Sequence, residues 1–113
     1  MRQLLGRDLG LTAVFATNDL MAIGAMIALR RAGLDVPRDM SLIGFDNILL
    51  ATATMPALTT IEQPTQELGQ ATVRLLLDQI LKRRSEPGVT WVPTRLIARD
   101  SCAPLGRGRT RQT

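Results

Sequence analysis

Asn18, Asp46 and Gln63 are the side chains in this sequence best suited by type and position to hold a small polar molecule. Each closes a brief apolar or β-branched run: Ala13-Val-Phe-Ala-Thr-Asn18, Ser41-Leu-Ile-Gly-Phe-Asp46 and Leu58-Thr-Thr-Ile-Glu-Gln63. An ionised Asp accepts two or more hydrogen bonds, which suits adjacent sugar hydroxyls or the N–H groups of a base. Asn and Gln offer a donor and an acceptor together. In open α/β sheets ligands lie beyond the carboxyl ends of the strands, which is where these residues fall. Taken singly, Asn18 and Asp46 read better as turn residues, which Asn and Asp favour after a strand for local reasons. Three strands ending alike move the balance towards a ligand site. Asp19 reads as the N-cap of the helix that follows.

Other chemistries are thinly represented. The sequence has no histidine, so the commonest general base and metal ligand is absent and no Ser–His–Asp or Cys–His nucleophilic site can form within it. Cys102 is alone, which excludes an intrachain disulfide. The acidic residues form no oxygen cage, and no glycine-rich phosphate loop follows a strand. No metal, no cofactor and no enzymatic activity are expected.

The elements that position the three residues follow from pattern. Residues 1–9 read as the end of a helix, with Leu4, Leu5 and Leu9 on one face and Gly10 as its stop. A buried strand is expected over 12–16, then a helix to about Ala32, with Arg30 and Arg31 near its negative end and Gly33 and Pro37 stopping it. A second strand spans 41–45, and 47–55 is irregular or a short helix. A third strand runs over 58–61. Pro64 and Thr65 open an amphipathic helix with Leu68, Ala71, Leu75, Leu76 and Ile80 at helical spacing. A loop follows at 83–88. Strand segments are expected at 89–92 and 95–98, parted by Pro93, with Trp91 in the core. The fold class is therefore α/β, a mostly parallel sheet flanked by helices.

The formal charge of +4 does not signal nucleic acid. Arg107, Arg109 and Arg111 lie in the last seven positions, and without them the charge is +1. Residues 105–113 read as a flexible basic tail. The longest uncharged apolar run, 20–29, is far short of the roughly 20 residues of a membrane span. No secretory signal is visible, so a cytoplasmic protein without membrane contact is expected. Residues 20–29 are apolar around the whole helix, however, whereas a helix on one face of a sheet needs a single stripe. A partner subunit is the simplest cover for the outer side, with Ile23, Met26 and Ile27 its candidates.

Three stretches together, Phe15–Ala25, Gly33–Asn47 and Pro56–Pro64, resemble the effector-binding domain of lactose/galactose-repressor-type (LacI/GalR) bacterial transcription regulators. Glu67-Leu-Gly, Leu75-Leu-Leu-Asp and Leu96-Ile-Ala-Arg-Asp-Ser101 fit as well, so the resemblance covers residues 1–104. It implies part of a periplasmic-binding-protein-like I fold, with Asn18, Asp46 and Gln63 lining the cleft or its hinge and Asp46 the strongest contact. It also places the helix after Asp19 and the loop carrying Leu50 and Met55 on a homodimer face. The effector is expected to be a sugar or a nucleobase-like molecule. DNA contact is expected only through an N-terminal domain outside these residues, and the helix near 65–84 on the side of the N-terminal subdomain, itself absent here. A periplasmic sugar receptor of the same fold is the alternative.

Overall fold

The short apolar runs become short strands, each three residues long. The computed structural model describes residues 1–7, 9–81 and 88–105, so the expected loop at 83–87 and tail at 106–113 lie outside the described residues. The chain divides into two units: Met1–Glu62 with Leu96–Thr113, and Gln63–Arg95.

In the first unit, α1 (Arg2–Leu5) precedes β1 (Ala13–Phe15), α2 (Asp19–Arg31), β2 (Ser41–Ile43), α3 (Leu50–Ala53) and β3 (Thr60–Glu62). β1 and β2 are parallel, with Ala13 opposite Ser41 and Phe15 opposite Ile43. Parallel neighbours need a crossover, and α2 supplies it. A parallel bridge joins Ile43 to Thr59. Backbone bonds from Gly44 N to Thr59 O (3.0 Å) and from Asp46 N to Ile61 O (2.8 Å) carry the alignment on to β3. β3 in turn pairs with β4 (Arg95–Ile97), which opens the return into this unit.

α2 stops as its sequence dictates. Gly33 adopts φ +73°, a left-handed conformation cheap only for glycine. Leu34 N then donates to Leu29 O and Gly33 N to Arg30 O, the paired bonds of a Schellman motif. Its start differs from expectation: Asn18, extended at φ −153° and ψ 165°, is the N-cap, and its side chain accepts from Met21 N at 2.8 Å. Asp19 is instead the first helical residue and is buried.

Ala22, Ala25, Met26 and Leu29 form the inner stripe of α2 at the three-to-four spacing of one helix face. Ala22, Ala25 and Met26 pack with Ala16, Leu42, Ala51 and Leu58 as the core cluster. Met26 therefore corrects the expectation of an outward side chain: the 100° step that turns Ile27 out turns Met26 in, leaving it 8% exposed.

The second unit is dominated by α4 (Thr65–Ile80). None of its residues is buried, and Leu76, Leu77 and Ile80 are each about half exposed or more. The strand expected at 89–92 does not form, and Trp91 is 89% exposed rather than in a core. An apolar run becomes a strand only where a ladder partner exists, and none reaches this segment among the described residues.

No described helix is long and apolar enough to cross a membrane. No cluster of potential metal ligands occurs among the described residues.

Candidate functional site

Asn18 and Asp46 come together because β1 and β2 are parallel neighbours that end at the same level. Asp19 N donates to Phe45 O at 2.8 Å, setting Asn18-Asp19 directly beside Phe45-Asp46. Phe15 and Phe45 meet edge-to-face next to them, with centroids 6.5 Å apart. Asp46 is exposed and Asn18 partly so. Gln63 begins the second unit, directly after β3, and its carbonyl accepts from Thr65 N at the start of α4.

Asp19 is the keystone beneath this surface. Its carboxylate is 1% exposed and accepts from Thr60 Oγ1 (2.5 Å) and Ile48 N (2.9 Å). One buried side chain thus ties the start of α2 to β3 and to the turn after β2. A buried carboxylate is tolerable only when it is bonded in this way, and the helix N-terminus favours its charge further. The packing admits no side chain at Gly44, where a Cβ would lie 2.2 Å from Asp19 Oδ1.

The turn that presents Asp46 is strained. Asp46 has φ +109° and Asn47 φ +56°, and residues other than glycine seldom enter that region. Such conformations persist where the surroundings over-determine them, and they collect at ligand sites. Asn47 Nδ2 donates to Glu62 Oε1 at 2.9 Å, and Arg99 Nη2 donates to Asn47 Oδ1 at 2.6 Å. Arg99 Nη1 also holds Leu58 O at 2.7 Å. Behind them the fully buried Ser101 accepts from Thr59 N (2.8 Å) and donates to Leu42 O (2.5 Å).

Asn47, Glu62, Arg99 and Ser101 escaped the sequence reading. The Gly-Phe-Asp-Asn turn was a signal for Asn47, since Asn tolerates positive φ. Nothing local marks the others.

Four of the five residues expected at a dimer face also meet, Leu50 excepted. Ile23, Met26, Ile27, Arg30, Thr54 and Met55 line a groove of about 300 Å³, with Met26 reaching it from the core side. Arg30 Nη2 holds Met55 O at 3.0 Å, fastening α2 to the segment after α3. Met55 is 81% exposed and Ile27 50%, and Leu50 is exposed as well. A larger hollow of about 710 Å³ lies against β1 and α2, but it is mostly apolar and includes none of the strand-end polar residues. Convergent donors and acceptors are what orient a polar ligand, and this hollow offers few.

Known proteins share the fold of this chain. The model of the periplasmic binding protein-like domain matches residues 2–102. The HTH-type transcriptional repressor PurR of Escherichia coli O1:K1 / APEC is 48% identical over 103 residues, which are 91% of this chain and 30% of that protein. The chain thus spans about a third of the length of the curated relatives it matches. Among solved structures, a LacI family transcriptional regulator from Enterococcus faecium with bound ribose is 44% identical at a TM-score of 0.76, over 93% of this chain and 38% of that one. The lac repressor dimer bound to operator and the anti-inducer ONPF is 35% identical at a TM-score of 0.80, over 88% of this chain and 35% of that one.

Proposed function

The chain belongs to the periplasmic-binding-protein-like domain family, with LacI-family repressors among its relatives, and from that premise we propose that it is the effector-binding and dimerisation portion of such a regulator. Its effector is a small polar molecule of the sugar or nucleobase class, held by Asn18, Asp46 and Gln63. The observation that carries this reading is the strained Asp46–Asn47 turn beside Asn18, at the carboxyl ends of two parallel strands. An Asp side chain there accepts from paired hydroxyls or ring N–H groups, and the neighbouring phenylalanines add an apolar flank. The bound ribose of the Enterococcus faecium relative agrees with a ligand of that class.

Regulation follows from linkage. An effector that binds one arrangement of the regulator more tightly than another shifts the balance by the difference in affinity. The face carrying Ile23, Ile27, Leu50 and Met55 would join two copies, in keeping with the dimeric lac repressor, and DNA would be contacted by a domain outside residues 1–113. No catalytic role is assigned, because the relatives are repressors and the strand-end residues include no activated nucleophile.

The test is a graft. Residues 2–102 replace the matching segment of the ribose-bound Enterococcus faecium regulator, and ribose binding is measured by calorimetry. Binding by the graft, lost with Asp46→Ala while the variant still unfolds cooperatively, is the expected result. Ribose binding that survives Asp46→Ala would remove Asp46 from the site and sink the assignment.

A further inference from the structure

Asn47 stands next to the proposed ligand carboxylate, and both ends of its amide are gripped. Glu62 Oε1 accepts from Nδ2 at 2.9 Å and Arg99 Nη2 donates to Oδ1 at 2.6 Å. Those partners are not scattered. Glu62 is the last residue before the chain leaves the first unit, and Arg99 lies four residues beyond Arg95, where it returns. Arg99 is itself fixed by Leu58 O, the residue before Thr59-Thr60, so its guanidinium spans the base of β3 and the Asn47 turn. One side chain of the Asp46 turn therefore bonds the last residue before the chain leaves the first unit and a residue three positions inside its return.

The backbone around it needs such a grip. Asp46 and Asn47 both have positive φ, and this costs free energy that neighbouring contacts must offset. The amides of residues 46, 47 and 48 are each bonded, to Ile61 O (2.8 Å), Thr60 Oγ1 (3.4 Å) and Asp19 Oδ2 (2.9 Å). Two of those three acceptors lie on β3, directly before Glu62. A shift of β3 at its junction with the second unit would pull on the turn through these same bonds.

We propose that Asn47, held between Glu62 and Arg99, is a positioning residue that fixes the Asp46 carboxylate and couples it to the end of β3 and to Arg99. This rests on Asp46 being an effector contact. Asn47 acts through Asp46, since both ends of its side-chain amide are engaged by the clamp. Loss of either grip would misplace Asp46.

Amide hydrogen exchange on the 113-residue chain tests it. Asn47→Asp keeps the acceptor for Arg99 and tolerates positive φ, but sets a carboxylate against Glu62. Exchange at residues 46–48 should then quicken by about tenfold or more, the scale of one charge-assisted hydrogen bond, relative to Ala16, Ala22 and Leu42. Adding Glu62→Gln restores a donor opposite the new carboxylate and should recover most of the protection. Arg99→Met, which has no donor for Leu58 O or Asn47 Oδ1, should reproduce the local effect if Asn47→Asp fails to fold. Exchange that is unchanged, that quickens equally throughout, or that Glu62→Gln does not rescue would overturn the clamp. No ligand enters this measurement, so its failure is distinct from retention of ribose binding by the Asp46→Ala graft, which refutes the effector reading instead.

Discussion

Alanine at position 44 should be one of the most damaging small substitutions in the first unit, and about half of its cost should disappear when Asp19 is removed. The added Cβ would sit 2.2 Å from Asp19 Oδ1, 3.1 Å from Leu58 Cδ2 and 3.2 Å from Asp19 Cα, where ordinary contact begins near 3.4 Å. The Cα is backbone at the start of α2 and has little freedom, so the carboxylate must retreat. Retreat breaks its bond to Thr60, a side chain with no exposure and hence no water to turn to, and strains the bond from Ile48 N. Hydrogen bonds to charged groups are worth about 1.5–3 kcal/mol each, and overpacking adds about 1–3 kcal/mol, so the expected loss is about 3–5 kcal/mol. Asp19→Ala alone strands Thr60 Oγ1 and Ile48 N and should cost about 2–4 kcal/mol. With the carboxylate gone, position 44 meets only the two milder contacts. The double variant should therefore be more stable than the sum of the singles implies by about 2 kcal/mol. Urea unfolding followed by far-UV circular dichroism reads this, since Trp91 is already exposed and its fluorescence would report little. A loss of this size moves the midpoint by roughly 2 M. If Gly44→Ala leaves no folded protein in water, a double variant that loses no more than about 3 kcal/mol beyond Asp19→Ala is the same signature. Additivity of the two changes within about 0.5 kcal/mol would refute the contact.

Asn18→Ala removes the α2 cap and should cost about 1 kcal/mol in the same assay, whereas Asn18→Gly should cost only a few tenths. Ser101→Ala deletes a buried hydroxyl that serves both Thr59 N and Leu42 O, so a loss of about 2 kcal/mol is expected. The neighbouring Cys102→Ser, which changes one long contact to Leu42 O, should shift the midpoint much less. Ile27→Glu combined with Met55→Glu should weaken self-association in sedimentation equilibrium while leaving monomer stability within about 0.5 kcal/mol, because both side chains are exposed in the single chain. Unchanged association would move the dimer face elsewhere.

Much of the positioning was legible along the chain. Local physics set the ends of β1 and β2, the run of α2, and its stop at Gly33 followed by Pro37: strand runs, helical spacing and a left-handed glycine act between near neighbours. The same reading placed Asn18 and Asp46 at strand ends, and parallel pairing of β1 with β2 then brought them side by side. A pattern gives position along an element, and the pairing of elements gives contact.

What the sequence alone determined was the fold class, the strand-end polar residues, the absence of histidine chemistry and the likeness to a regulator family. What only tertiary structure decided was which polar groups would be buried and which apolar ones left out. Asp19, expected as a cap, finds its partners 29 and 41 residues away, and Arg99 reaches Asn47 across 52. Met26 turned inward and Trp91 outward because core and ladder partners exist for the first and not for the second among the described residues. A polar side chain is worth burying only where donors and acceptors converge on it. That convergence is set by how distant strands pair, so no window of neighbouring residues can contain it.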